Sequence, residues 1–266
     1  MASGNKVYVV TGGNRGLGLG LVKSLLARPA TTVIASVRNE EAATSLKAET
    51  QAVTTGEQSS LYIFQLDFSS AIAPERVIEV FNAATRVDRI DVLICNAGYA
   101  APMAPAALTS AEDLRASFET NTIAPLLVFQ GLWPLLQKSA ATPKLINISS
   151  SVGSIGGQEP VPGGAYGPSR AAGNWLTRAL HAQHPNLIAV ALHPGWVQTR
   201  AGDFVAQQWG YEAGPPETID NSVKGMLQVI DGATRETTSG KFITYEGQEL
   251  RGRPPSALTS RWIRER

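Results

Sequence analysis

A glycine-rich segment near the start of the chain could bind phosphate groups. It reads Thr-Gly-Gly-Asn-Arg-Gly-Leu-Gly from Thr11 to Gly18 and directly follows an apolar run. Gly12 permits a tight turn, and Gly16 and Gly18 let the backbone lie close to a diphosphate at the start of a helix. The spacing G-x-x-x-G-x-G differs from the G-x-G-x-x-G dinucleotide fingerprint, and a turn with a purely structural role is the alternative. The residues predicted to hold the phosphates are Gly12, Asn14, Arg15, Gly16, Leu17 and Gly18.

The end of the second apolar run indicates which dinucleotide would bind. An acidic side chain at that point would accept a hydrogen bond from the ribose 2′-hydroxyl and select NAD. The chain instead has Ser36 and Arg38 there, and Arg15 projects from the glycine segment. Two guanidinium groups suit the extra charge of a 2′-phosphate, which arginine binds through two parallel hydrogen bonds. The sequence therefore predicts NADP(H) rather than NAD(H), the alternative being that either arginine is only solvated.

Short apolar runs that alternate with longer amphipathic stretches must position these residues. This alternation is typical of a parallel sheet with helical crossovers. We expect one α/β domain over residues 1–266, a Rossmann-type doubly wound parallel sheet of about seven strands with helices on both faces. Strands are predicted at 7–10, 32–37, 61–66, 90–95, 144–149, 187–193 and 241–245, and the clearest helices at 16–27, 121–138 and 166–184.

Composition and charge exclude several classes of partner. A net charge of +1 gives no field to gather nucleic acid or an anionic membrane surface. No apolar run approaches the roughly 20 residues of a membrane span, and the short polar start predicts no signal peptide. One cysteine excludes an internal disulfide and suits a reducing compartment. We expect a cytoplasmic protein that binds neither nucleic acid nor membrane, with a solvated basic tail at 251–266.

Several short motifs follow one another along the chain: the glycine segment, Asn96-Ala97-Gly98, Asn121, Ser149-Ser150, Tyr166 and Pro194-Gly195. In this order and spacing they resemble the short-chain dehydrogenase/reductase family over essentially the whole chain. The stretches 192–199 and 239–242 are similar to the branch with C-factor-like, sniffer-type and fungal norsolorinic-acid-ketoreductase-like proteins. The resemblance implies an NADP(H)-dependent oxidoreductase that reduces a carbonyl compound by hydride transfer.

The resemblance also implies roles for the matching residues. Tyr166 would donate a proton, Ser150 would polarise the substrate carbonyl, and Asn121 would hold a water molecule in the proton relay. Ser149 or Ser151 could replace Ser150 if the register differs. The residues implied on the adenine side are Asp67, Phe68, Asn96, Ala97 and Gly98, and those facing the nicotinamide are Pro194, Gly195, Trp196, Val197 and Thr199.

One position departs from the family pattern. The family motif is Tyr-x-x-x-Lys, and this chain has Tyr166 followed four residues later by Arg170, on the same face of a helix. In the family the lysine grips the nicotinamide ribose, and its charge helps to ionise the tyrosine. A phenol with a pKa near 10 must fall by about 3 units to work at neutral pH, roughly 4 kcal/mol. Arginine keeps the charge but does not readily lose a proton, so a relay through it is impaired.

Three functions remain open with arginine at this position. The site reduces carbonyls with arginine as an electrostatic partner, or binds NADP(H) for non-redox chemistry such as isomerisation or cyclisation, or serves as a nucleotide-dependent binding module. Ser150, Tyr166 and Asn121 favour the first, because a chain that had abandoned reduction has no evident need for all three. An engineered lysine-to-arginine change would give the same sequence.

The remaining features concern substrate and partners. The aromatic segment 196–217 is predicted to be a substrate lid, or else a surface excursion with its own small core. With the loops 99–109 and 153–164 it would enclose an apolar pocket for a bulky carbonyl compound. The helices from Asn121 and Tyr166 have apolar outer faces, and in the family such helices pair, which implies a homodimer or homotetramer; packing on the sheet is the alternative. His181 and His184 lack a third ligand, so no metal site is expected.

Overall fold

A computed structural model describes residues 4–250, and the tail at 251–266 lies outside them. The strands are β1 Lys6–Thr11, β2 Thr31–Val37, β3 Ser60–Gln65, β4 Val92–Cys95, β5 Lys144–Ile148, β6 Ile188–His193 and β7 Phe242–Thr244. The helices are α1 Gly16–Leu26, α2 Glu40–Gln51, α3 Pro74–Ala84, α4 Ala111–Phe118, α5 Ala124–Leu136, α6 Tyr166–Gln183, α7 Arg200–Trp209 and α8 Ile219–Gly232. Seven strands with helical crossovers confirm the predicted α/β class.

The strands form one parallel sheet in the order β3-β2-β1-β4-β5-β6-β7. β1 pairs with β2 on one side and with β4 on the other, so the chain reverses its direction of winding there. The carboxyl ends of β1 and β4 flank this switch point, where open parallel sheets bind their ligands. The glycine segment and Asn96-Ala97-Gly98 follow these two strands, so the topology brings both motifs to one edge.

Two apolar layers cover the sheet, and alternating residues of β1 belong to opposite layers. Tyr8 and Val10 pack with buried residues of α1, α2 and α8, whereas Val7 and Val9 pack with those of α3 and α5. A strand buried on both faces has an apolar side chain at nearly every position, and this is the origin of its unbroken apolar run. The rigid centre of the sheet therefore holds the loops that leave its carboxyl edge.

The helix predicted at 121–138 differs in the structure. The helical run begins earlier, with α4, where the Ser110 side chain accepts a hydrogen bond from the Asp113 N–H. A wider π-helical turn at Glu119–Ile123 separates α4 from α5. This turn directs Asn121 and Thr122 inwards, and both side chains are buried. The sequence carried a start signal at Ser110, since serine and aspartate are common in the first turn of a helix.

In the part of the chain that the structure describes, no helix is long and apolar enough to cross a membrane.

Candidate active site

The glycine segment forms a tight loop between β1 and α1. Gly12 has φ of +68°, and its N–H donates a hydrogen bond to the Ser36 hydroxyl at 3.2 Å. A Cβ on Gly18 would lie 2.1 Å from the Gly12 carbonyl oxygen, so only glycine allows this approach. The first turn of α1 contains no acidic residue, and Arg15 at the N-cap makes no side-chain capping bond. The positive end of the helix dipole is therefore left for an anion.

The structure places Ser36 within the sheet, behind the glycine loop. The residue is fully buried on β2, and its hydroxyl is engaged with the Gly12 N–H. Its carbonyl oxygen also accepts a hydrogen bond from the Gly13 N–H, at 3.0 Å. Ser36 thus braces the loop from within the sheet. Arg15 and Arg38 are both exposed, which leaves their guanidinium groups accessible to a ligand.

Thr11 joins the glycine segment to the motif that follows β4. Its hydroxyl accepts hydrogen bonds from the N–H groups of Asn96 and Ala97, at 2.9 and 3.0 Å. In return, the Asn96 amide donates to the Thr11 and Gly12 carbonyl oxygens. The sequence reasoning did not assign Thr11 a role, although a hydroxyl at the end of a central strand is a common anchor for a neighbouring loop.

Asp67 and Phe68 follow β3 on the same edge of the sheet. The Asp67 carboxylate accepts hydrogen bonds from the N–H and hydroxyl of Ser69, at 2.9 and 2.8 Å. These bonds hold the pKa of Asp67 below its usual range, and the nearby charge of Arg38 lowers it further. Phe68 is buried, and its carbonyl oxygen accepts from the Thr120 hydroxyl. Asp67 therefore stays ionised and exposed beside Arg38.

Arg170 lies inside the site, and only 7% of its surface is exposed. Its Nη1 donates a hydrogen bond to the Ile148 carbonyl oxygen at 2.9 Å, and a Cβ on Gly98 would lie 2.3 Å from Nη2. The guanidinium carbon lies 5.1 Å from the centroid of the Tyr166 ring, within the range of a cation–π contact. Nε is buried without a hydrogen-bond partner, and the ion pairs among residues 4–250 do not include Arg170. The arginine therefore places an uncompensated positive charge beside the tyrosine.

Asn121 is fully buried and hydrogen-bonded at both ends of its side chain. The amide oxygen accepts from the Tyr99 N–H at 2.8 Å, and the amide nitrogen donates to the Tyr99 carbonyl oxygen and the Ser169 hydroxyl. The Ser169 hydroxyl donates in turn to the Tyr166 carbonyl oxygen at 2.7 Å. Asn121 thus links the loop after β4 to the first turn of α6. Ser169 is a second residue that sequence reasoning missed, because its partner lies 48 residues away.

The three serines after β5 have different surroundings. Ser149 is buried, and its hydroxyl donates to the Asn174 side chain at 2.6 Å. Ser150 is half-buried, and its hydroxyl accepts from the Val152 N–H at 3.3 Å. The Ser151 N–H donates to Nδ1 of His193 at 3.2 Å. Ser150 is the serine that caps the turn at Ser151–Gly153, and this turn packs against α6 through Val152 and Gly153.

The segment from Pro194 to Thr199 and the predicted lid continue from β6. Val197 is buried, and Thr199 caps α7 by accepting from the Gly202 N–H at 3.1 Å. A Cβ on Gly16 would lie 3.5 Å from the Thr199 methyl group, so this segment meets the glycine loop. The predicted phosphate-binding and nicotinamide-facing segments are therefore adjacent.

The tip of the lid contacts both loops that were predicted to border the pocket. The Trp209 indole N–H donates to the Pro162 carbonyl oxygen at 3.0 Å, and the Gln208 side chain accepts from the Met103 N–H at 3.4 Å. The Trp196 ring packs against Trp209 and Tyr211, with centroids 5.4 and 5.1 Å apart. The segment 196–217 thus has a small aromatic core of its own and also contacts the loops 99–109 and 153–164. Its role as a substrate lid stays a prediction.

Comparison with known proteins now adds to this geometry. The family model for short chain dehydrogenase matches residues 6–208. The norsolorinic acid ketoreductase of Aspergillus parasiticus is 36% identical over 248 residues, which cover 92% of this chain and 90% of that protein. The chain belongs to the short-chain dehydrogenase family.

Solved structures of short-chain dehydrogenases share this fold. The NADPH-bound carbonyl reductase from chicken fatty liver superposes with a TM-score of 0.77 at 31% identity, covering 92% of this chain and 98% of that one. The carbonyl reductase Sniffer of D. melanogaster has a TM-score of 0.77 at 29% identity, with the same coverage. The predicted family, fold class and oxidoreductase type are thereby confirmed for this short-chain dehydrogenase.

His193 is expected to make the stability of this short-chain dehydrogenase depend on pH. Burial lowers its pKa to about 4, whereas an unfolded histidine titrates near 6.5. Since the unfolded chain then binds more protons between pH 6.5 and 4, stability is expected to fall as the pH drops through this window, by roughly 3 kcal/mol at its lower end. Urea unfolding at pH 7, 5.5 and 4 measures the loss, and His193→Asn should reduce the slope. An unchanged slope in the variant would contradict the assignment.

His181 on α6 and His184 directly after it have protein partners in this short-chain dehydrogenase. Nδ1 of His181 lies 2.7 Å from the Ser239 hydroxyl, and the His184 ring packs against Phe129 and Trp133. Across residues 4–250, no three His, Cys, Asp or Glu side chains group together as metal ligands.

Proposed function

We propose that this protein is an NADPH-dependent ketoreductase that reduces the carbonyl group of a bulky apolar substrate. The observation that carries the proposal is the buried Arg170 guanidinium over the Tyr166 ring, because it keeps a positive charge beside the group that would give its proton to the substrate oxygen. The names of the ketoreductase from A. parasiticus and of the NADPH-bound carbonyl reductase support the same activity.

The residues of the site fit NADP(H). The positive φ of Gly12 and the close approach at Gly18 form a cradle that side chains would fill. The diphosphate would lie on the N–H groups at the start of α1, and the 2′-phosphate would bind Arg15 and Arg38, which are both exposed. The unpaired Nε of Arg170 fits a site completed by a ligand with hydroxyl groups. When bound, NADPH supplies the hydride.

The other residues would act on the substrate oxygen. Tyr166 would donate the proton, and the half-buried Ser150 would donate a hydrogen bond that stabilises the developing negative charge. Arg170 would stabilise the negative charge that develops as Tyr166 gives up its proton, without itself taking part in proton transfer. Asn121 would hold the water of the relay through its backbone, since both ends of its side chain are occupied.

The substrate would lie beneath the lid, at the carboxyl edge of the sheet. The borders of this space carry exposed or half-buried apolar side chains and few charges. They include Tyr99, Ile155, Trp196, Phe204 and Trp209. Such a lining favours a bulky, apolar carbonyl compound over a sugar or an acid. Turnover of small charged keto acids without turnover of hydrophobic ketones would contradict this substrate class.

A second candidate function is NADP(H)-dependent non-redox chemistry, such as isomerisation or cyclisation, or cofactor binding alone. The observation that favours it is the hydrogen bond from Arg170 to the Ile148 carbonyl oxygen. This bond commits one end of the guanidinium to the backbone, and arginine does not release a proton to a relay.

We also propose that the protein is a cytoplasmic homodimer or homotetramer. Trp175 on α6 is 69% exposed, and Ile123 in the π-helical turn before α5 is 38% exposed, so two large apolar side chains face solvent. Analytical ultracentrifugation at micromolar concentration tests the oligomeric state.

Replacing Arg170 with lysine distinguishes the two candidate functions. If Arg170 supports reduction, the parent protein oxidises NADPH in the presence of hydrophobic ketones or quinones, and Arg170→Lys changes the rate by about tenfold or less, because the charge is retained. Stopped-flow absorbance at 340 nm measures the rate of NADPH oxidation, with NADH tested in parallel. Binding of NADPH without oxidation by the parent protein, together with oxidation by Arg170→Lys, would instead support the second function.

A further inference from the structure

Tyr245 lies directly after β7, at the edge of the sheet beside the lid. Its N–H donates to the His193 carbonyl oxygen at 2.8 Å and so continues the pairing of β6 with β7. The ring lies between two glycines: a Cβ on Gly195 would be 3.0 Å from Cε1, and one on Gly225 would be 2.7 Å from Cδ2. Gly195 also has φ of +86°, a conformation that favours glycine. The backbone is thus shaped around this aromatic ring.

Glu217 stands where the lid returns to the body of the protein. Its N–H donates to the Trp196 carbonyl oxygen at 3.1 Å, and its carbonyl oxygen accepts from the Gln198 N–H at 2.8 Å. These bonds pair Glu217 with Val197 in a short parallel bridge that joins the two ends of the lid. The Glu217 carboxylate accepts hydrogen bonds from the Tyr245 hydroxyl and the Thr218 N–H. The backbone of Glu217 therefore joins the two ends of the lid, and its side chain joins the lid to Tyr245 at the edge of the sheet.

We propose that Tyr245 and Glu217 are positioning residues that hold the segment Pro194–Thr199 and the base of the lid against the carboxyl edge of the sheet. This inference rests on the proposed function in one respect, namely that the segment faces the nicotinamide. The Ser222 hydroxyl holds the same segment at its start by donating to the Pro194 carbonyl oxygen at 2.6 Å. Tyr245 and Glu217 hold its middle.

The physical advantage is a segment that is ordered before a ligand binds. A lid held only at its tip would lose conformational entropy at each binding event, and this loss would weaken the binding of cofactor and substrate. Pairing at Glu217 closes the loop from 198 to 217 in the free protein. The anchor at Tyr245 then sets where this closed loop stands relative to β6 and β7.

Tyr245→Phe tests the pair, because it retains the ring between the two glycines and removes only the hydroxyl. We expect the N–H groups of Gln198 and Glu217 to exchange with solvent about tenfold faster, as for the loss of a hydrogen bond to a charged group. We expect the dissociation constant for NADPH to rise by a similar factor. Hydrogen–deuterium exchange of the free protein and fluorescence titration with NADPH measure the two effects. Tyr62→Phe, on β3 at the opposite edge of the sheet, is the matched control.

Glu217→Ala completes the test, since it removes the same hydrogen bond from the other side. Glu217→Ala alone also removes the acceptor of the Thr218 N–H. If the two residues act as a pair, Tyr245→Phe therefore causes no further increase in exchange at Gln198 when it is added to Glu217→Ala. Unchanged exchange at Gln198 and Glu217 in Tyr245→Phe would overturn the proposal. Equal acceleration across the amides of β1 and β4 would also overturn it, because that indicates general destabilisation. The exchange is measured without a ketone, so its result does not depend on whether the protein proves to be a reductase.

Discussion

Replacing Tyr166 with phenylalanine is expected to lower kcat/KM for ketone reduction by about 10²–10⁴-fold, the usual contribution of a positioned proton donor. The variant keeps an aromatic ring beneath the Arg170 guanidinium, so the cation–π contact and the burial of the charge are retained. It removes only the hydroxyl that would protonate the substrate oxygen. The hydride acceptor would then gain negative charge without a proton, while Ser150 still offers a hydrogen bond.

Two measurements separate this effect from a loss of structure. The dissociation constant for NADPH, from fluorescence titration, is expected to change by less than about threefold, because a phenol-to-phenyl change removes at most one hydrogen bond to the ribose. Tyr62→Phe on β3 is the matched control and should keep the parent activity. If Tyr166→Phe retained more than about a tenth of the parent kcat/KM, another group would be supplying the proton and the assignment of Tyr166 would be wrong.

Replacing Gly18 with alanine is expected to weaken NADPH binding by about 10- to 100-fold. The added Cβ would lie 2.1 Å from the Gly12 carbonyl oxygen and 2.5 Å from the Asn96 amide nitrogen. The nearest obstacle is backbone, so the loop itself must move, at a cost typical of overpacking of about 1–3 kcal/mol. Movement of Gly12 would also break its hydrogen bond to Ser36 and displace the N–H groups that would receive the diphosphate.

The matched control for Gly18→Ala is Gly232→Ala, at the end of α8. A Cβ on Gly232 would meet no atom within 4 Å, so this variant tests the change from glycine to alanine in a helix without a clash. Titration with NADPH and thermal unfolding should be measured for both variants. Parent-like NADPH affinity in Gly18→Ala would mean that the loop is not the phosphate site. A loss of affinity with the free protein still folded supports the proposed site.

Much of this protein was determined by local sequence. The apolar runs fix which segments are buried strands, since a strand buried on both faces needs apolar side chains on both. The sequence by itself shows the glycines at 12, 16 and 18, and it shows that Arg170 stands where the family motif has lysine. The order of the motifs identified the family, and the family match and the seven parallel strands agree with it.

Tertiary structure alone decided the surroundings of these residues. Sequence could not reveal that Ser36 points into the sheet and braces Gly12, because the inward face of β2 is set by its register with β1. Sequence could not reveal that Asn121 contacts Ser169 or that Glu217 contacts Tyr245, because the two residues of each pair are 48 and 28 positions apart in the chain. A hydroxyl or carboxylate in a sequence has many potential partners, and only packing leaves one within hydrogen-bond distance. The residue types thus determined which chemistry was available, and the fold decided which other groups position those residues.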